Sequence, residues 1–154
     1  MAKYLLLSKL SPVAKEWLLV DSCGTGAVCY DGIASKGAMD ALAEWGLNVD
    51  DHLAKNIDGE ILNRADLILT MSEGHRRIAE RIMGERSVKV FLLSEFAKNL
   101  KEMNPKRGTF SLREDLESGE EIEDPFGKDE QVYRRIRDKI DGYIEAIVEK
   151  IPLK

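Results

Sequence analysis

Ile122-Glu123-Asp124-Pro125-Phe126-Gly127 places a carboxylate directly before a proline and next to an aromatic ring, upstream of a long amphipathic pattern. Proline disfavours the helical basin for the residue ahead of it and so holds Asp124 extended. A carboxyl group presented on such a turn can act as general acid toward a leaving group, with Phe126 as an apolar wall of the pocket. The same dipeptide also builds ordinary turns, so the segment alone does not decide. Thiols are scarce. The two cysteines are Cys23 and Cys29, and the residues six positions after them are Cys29 and Ser35, not a basic group. Both read as loop or buried thiols, since a reactive cysteine needs a nearby cation or helix N-terminus to ionise. Ser8 has no neighbouring histidine to activate it, and Lys9 reads as a solvated lysine. His52 and His75 lack the spacing of metal ligands, so neither a metal nor another cofactor is expected.

Those side chains need elements to carry them. Short apolar runs alternate with helical patterns, which predicts an α/β domain with a mainly parallel, four-stranded sheet flanked by helices. Tyr4-Leu5-Leu6-Leu7 reads as strand one and Trp17-Leu18-Leu19-Val20-Asp21 as strand two, with a cramped first crossover between them. Ser35 opens a helix that puts Ala38, Met39, Leu42 and Trp45 on one face and stops at Gly46. Asp58 caps a short helix through Leu62, Leu67–Met71 is a buried strand, and Ser72 caps a helix over His75–Met83. Val88–Leu93 is the fourth strand, followed by a short helix capped by Ser94 and carrying Phe96. Residues 99–123 hold 4 basic and 7 acidic side chains and read as a long charged loop or flap. The last helix, from about Asp129 to Lys150, repeats apolar residues at helical spacing and should pack across the sheet. Trp17, Trp45 and Tyr133 are assigned to the core.

Length and composition set the frame. The 154 residues carry 23 basic and 28 acidic side chains, a net charge of −5, and are 44% hydrophobic. That fits one soluble domain spanning 1–154. The acidic balance argues against nucleic acid or an anionic membrane as partner. The lack of an apolar run of about 18 residues or a signal peptide makes the cytoplasm the expected compartment.

Taken in order, Ser11-Pro12-Val13-Ala14, Asp21-Ser22-Cys23-Gly24-Thr25-Gly26, Asp51-His52-Leu53-Ala54, Ala65-Asp66-Leu67-Ile68-Leu69-Thr70-Met71, Lys89-Val90-Phe91-Leu92-Leu93 and Asp124-Pro125-Phe126-Gly127 resemble the low-molecular-weight protein tyrosine phosphatase family and its arsenate-reductase relatives. The resemblance spans roughly residues 18 to 150. It implies the phosphotyrosine phosphatase I-like fold, with the active site at the carboxyl ends of strands. It also implies hydrolysis of phosphotyrosine, or sometimes phosphoarginine, through a Cys-x5-Arg-Ser-Pro loop directly after strand one. Asp124 then matches the general acid, Phe126 the pocket wall, and Ser11-Pro12 the end of the loop, with Ser11 on the substrate side. The sequence departs from that pattern in one respect: no Cys-x5-Arg exists, and the first βα unit looks shortened. The expectation is an inactive homologue or loop-deleted variant. The alternatives are a module that binds a phospholigand or a protein on the same scaffold, and an active phosphatase in the parent natural protein. A shortened first unit would also expose a sheet edge and promote self-association.

Overall fold

A computed structural model describes residues 1–26 and 32–152; Cys29 lies outside them. The chain opens with helix α1 (Ala2–Lys9), which the apolar run at Tyr4–Leu7 had suggested would be a strand. A four-residue apolar run cannot distinguish the two by periodicity, and three of its residues are leucines, good helix formers without β-branching, in a stretch that also holds Ala2, Lys3 and Lys9. Leu5 is fully buried, and α1 leans on the last helix. The chain then turns at Leu10 into a second helix, α2 (Pro12–Trp17), with Pro12 in its first turn and the Ser11 hydroxyl accepting from the Ala14 amide at 3.1 Å. This corrects the second expectation, a strand over Trp17–Asp21. Leu18 is extended, and among the described residues the segment after α2 joins no ladder; Gly24 makes an isolated parallel bridge to Asn56.

From residue 35 onward the local signals hold more closely. Helix α3 (Lys36–Ala43) starts after Ser35, whose hydroxyl donates to Tyr133 Oη at 3.2 Å instead of closing the cap; Gly46, at φ +72°, ends the turn that follows. Asp58 accepts from the Ile61 amide at 2.8 Å and opens α4 (Gly59–Arg64). Strand β1 (Ile68–Thr70) leads into α5 (Glu73–Met83), where Ser72 accepts from the His75 amide. Strand β2 (Val90–Leu92) pairs with β1 in parallel, Ile68 against Val90 and Thr70 against Leu92.

The protein is thus an α/β domain with helices flanking a small parallel sheet, but among the described residues that sheet has two strands, not four. Helix α6 (Leu93–Asn99) begins one residue before Ser94, so Ser94 sits inside the first turn and caps nothing. The charged stretch expected to be a loop contains an antiparallel hairpin, β3 (Leu100–Asn104) and β4 (Thr109–Leu112), turned through Gly108 at φ +61°. Its apolar residues explain why: Phe110 packs edge-on against Phe91 and Phe96, with ring centroids 5.9 and 5.1 Å away. Helix α7 (Glu130–Val148), with Asp129 accepting from the Val132 amide, lies against α1, α3 and α6, and not across the sheet as expected.

The core forms around Leu5, Leu42, Leu93, Phe96 and the isoleucines of α7. Tyr133 joins it, but both tryptophans are about half exposed, contrary to expectation. Each lies under a cation, Trp17 beneath the Lys106 ammonium at 5.5 Å and Trp45 beneath the Arg137 guanidinium at 4.2 Å, an arrangement that lets an indole stay near water. No helix among the described residues is long and apolar enough to cross a membrane.

Candidate functional site

Strand β1 ends at Thr70, and the next carbonyl, that of Met71, accepts a hydrogen bond from the Ile122 amide at 2.8 Å. One residue earlier in the acid-bearing segment, the Glu121 carboxylate accepts from the Glu73 amide at 2.7 Å in the first turn of α5. A carboxylate there is favoured by the positive end of the helix dipole. These two bonds, with Ile122 buried at 5% exposure between them, fasten the segment to the carboxyl end of a parallel strand. Open α/β sheets bind ligands at that end.

Asp124 follows on an exposed turn. One of its oxygens accepts from the Phe126 amide at 3.0 Å, the Lys128 amide donates to the Pro125 carbonyl at 3.0 Å, and Gly127 adopts φ +75°. Phe126 is half exposed beside it. The neighbouring carboxylate is treated differently. Glu123 is bonded by Lys128 and, at 2.6 Å, by Arg135, and those cations, Lys128 foremost, hold its carboxyl below the usual range. Two adjacent acids therefore sit in unlike surroundings, one locked as an anion in an ion pair and one displayed on a turn.

Behind them, Glu120 accepts from Tyr143 and from Lys139 at 3.0 Å. Burial and that bond push the Tyr143 hydroxyl up to about 12. The buried Ser94 hydroxyl donates to the Glu120 carbonyl at 2.6 Å and accepts from its amide at 2.8 Å. Sequence reasoning missed Glu120, Glu121, Glu123, Arg135 and Tyr143 as supports of this segment, because a run of glutamates in a charged stretch looks like a solvated face.

The structure brings Asp124 and Phe126 together on one turn. The Ser11 hydroxyl accepts from the Ala14 amide as the cap of α2. Cys23 is exposed in the loop after the extended segment, yet desolvation of its sulfur, followed by the Asp21 and Asp58 carboxylates, pushes the thiol up. That is the reverse of what a thiolate nucleophile requires. Asp21 is bonded by Lys55 at 2.6 Å, which lowers its carboxyl. His52 stands edge-on to Tyr4, with ring centroids 5.7 Å apart, and burial, the amino terminus and Lys3 lower its pKa, so the imidazole is neutral at neutral pH. His75 is exposed on the first turn of α5.

Comparison with known proteins gives a consistent result. A family model described as low molecular weight phosphotyrosine protein phosphatase matches residues 1–154. A protein of Ralstonia solanacearum called a probable low molecular weight protein-tyrosine-phosphatase, EpsP, is 33% identical over 96 residues, which are 62% of this chain and 61% of that protein. The chain therefore spans under two thirds of that relative. Among solved structures, the YwlE arginine phosphatase from Geobacillus stearothermophilus superposes with a TM-score of 0.74 at 28% identity, over 97% of this chain and 81% of its own. A low molecular weight protein tyrosine phosphatase from T. tengcongensis superposes with a TM-score of 0.70 at 26% identity, over 97% and 88%.

Proposed function

The chain belongs to the low molecular weight phosphotyrosine protein phosphatase family, and from that premise we propose that residues 1–154 carry the acid side of a cysteinyl-phosphate hydrolysis and do not complete the reaction alone. In that chemistry a thiolate attacks phosphorus, the ester oxygen departs with a proton from a carboxylic acid, and water then cleaves the phosphocysteine. Asp124 is the proton donor in this reading, and Phe126 lies against the leaving group. What carries the proposal is the position of their turn, tied through Ile122 and Glu121 to the carboxyl end of β1. The nucleophile half has no counterpart, because neither cysteine is followed six residues later by arginine. Without a thiolate the covalent route is closed. Without a guanidinium clamp much of the electrostatic stabilisation of the transferring group is gone.

Hydrolysis of p-nitrophenyl phosphate by the 154-residue chain is expected to stay at the background rate. A vanadate-inhibited, thiol-sensitive rate would overturn the proposal. The relatives are named for tyrosine and for arginine phosphatase, so phosphotyrosine and phosphoarginine are the ligand classes to offer.

Two further readings rest on specific observations. The anchored Asp-Pro-Phe-Gly turn favours a module that holds a phospholigand or a protein without turning it over; heat on titrating phosphotyrosine, lost in Asp124→Asn or Phe126→Ala, supports it. The absence of a Cys-x5-Arg segment beside an otherwise matching family pattern favours an active phosphatase in the parent natural protein, from which the loop near Leu7 was lost. Reading the encoding genomic region for an in-frame Cys-x5-Arg segment tests that.

A further inference from the structure

Helices α6 and α7 pack together, and two clefts open along their junction beside the hairpin. One, of about 510 Å3, is lined by Lys98, Lys101, Arg113 and Lys150 over Ala97, Leu100 and Ala146, with Glu149 the one carboxylate among its described lining residues. The other, of about 380 Å3, shares Ala97, Lys98 and Ala146 with the first and continues past Gly142 and Tyr143 to Lys139 and Asp138. The two form one trough. From Asp138 to Lys150 it follows α7 and its end over about 18 Å.

Five cations therefore face the trough against two carboxylates, Asp138 and Glu149, in a chain that carries 23 basic and 28 acidic side chains in all. Such a cleft focuses a positive potential that the molecule as a whole does not have. A cation near the end of a helix offsets the negative end of its dipole, which accounts for Lys98 in the last turn of α6 and for Lys150 just past α7. It does not account for Lys101, on β3, or Arg113, after β4.

The chain itself shows what these cations take. Glu117 pairs with Arg113 at 2.9 Å, the Ser118 carbonyl accepts from Lys98 at 3.4 Å, and Glu120 pairs with Lys139 at 3.0 Å. All three acceptors are carboxylate or main-chain oxygens supplied by one acidic stretch of polypeptide. Lys101 and Lys150 line the same trough, are exposed, and have no ion pair among the described residues.

We propose that the trough between α6 and α7 docks an extended acidic segment of a partner protein, with carboxylates on Lys101 and Lys150 and apolar side chains over Ala97 and Ala146. Its length suits about five or six extended residues. Complementary charge of this kind speeds encounter and fixes register. A nucleic acid fits less well, because every unit of it is anionic and Asp138 and Glu149 repel it, whereas a peptide can set an uncharged residue opposite each. Docking there involves no part of the Asp124 turn, which lines neither cleft.

The test uses the full 154-residue chain and a fluorescein-labelled ten-residue peptide of alternating glutamate and valine. Fluorescence anisotropy is expected to show saturable binding that weakens as salt rises, and amide NMR shifts on the unsubstituted chain should map to residues 97–101 and 146–150. Lys101→Glu together with Lys150→Glu should weaken binding by about ten-fold or more. Arg77→Glu together with Arg81→Glu, an equal change of charge at exposed residues that line neither cleft, should leave it within about two-fold. The proposal is overturned if no saturable binding appears, if a peptide with glutamine for glutamate binds equally, if the two double variants lose affinity alike, or if the shifts map elsewhere. Displacement of the peptide by phosphotyrosine would place it at the Asp124 turn and overturn the proposal, as would tighter binding of oligothymidine in the same trough. The same shifts on raising protein concentration without peptide would make a second copy the occupant and overturn it too.

Discussion

Position 119 has no room for a side chain: a Cβ there would lie 2.7 Å from Glu95 Cβ, 2.8 Å from Ser94 Oγ and 2.9 Å from the Glu95 main-chain nitrogen. Gly119→Ala therefore has to move backbone, and a loss of about 1–3 kcal/mol in urea unfolding is expected. Ser94→Ala removes both partners of the Glu120 main chain from a fully buried site, and about 1–3 kcal/mol should go with it. Tyr143 gives a pH signature. Its hydroxyl titrates near 12 in the fold, above its ordinary value of 10, so its contribution to stability is complete below pH 10 and disappears as pH rises toward 12. Unfolding at pH 8 and pH 11 should show that loss in the parent chain and a smaller one in Tyr143→Phe. At this scale the sequence disclosed residues whose role is local. Asp58 and Ser72 each satisfy an amide three positions on, and Asp124 accepts from the amide two positions on. Ser94 and Glu120 were hidden, because their partnership spans 26 positions.

At the scale of elements, α3 and α7 meet around Arg137, which is 5% exposed, donates to the Ala41 carbonyl at 2.6 Å and to Glu44 at 2.7 Å, and stacks on Trp45. A lysine cannot reproduce a planar fork that stacks and bonds at once. Arg137→Lys should therefore destabilise by about 1–3 kcal/mol, read as a lowered urea midpoint with an unchanged slope. Gly37 reports the same junction, since a Cβ there would lie 2.5 Å from the Tyr133 ring. Helix α7 was readable because its apolar residues recur at one helical spacing over many turns, and β1 and β2 because their runs are short and bounded by caps. Helix α1 is not legible in the sequence because four apolar residues carry no period. The hairpin was missed because its charged flanks dominate, while the contact that makes it worthwhile, Phe110 on Phe91 and Phe96, is brought about by the fold.

For the molecule as a whole, the fold class was legible and the sheet was not. Alternating runs specify α/β, but which runs pair is decided by long-range packing, and two of the four expected strands never enter the ladder. An unpaired strand edge is a template for association. Sedimentation velocity over a wide concentration range should show reversible self-association, weakened in Leu19→Lys. Because that side chain is 93% exposed, its replacement should alter stability by no more than about 0.5 kcal/mol.

The placement of the two indoles, each beneath a different cation, supplies a pair of built-in optical reporters. Trp17 emission follows the seating of the hairpin turn through Lys106, and Trp45 emission follows the α3–α7 junction through Arg137. Single-tryptophan versions, Trp17→Phe and Trp45→Phe, would let these two junctions be watched separately as the protein melts.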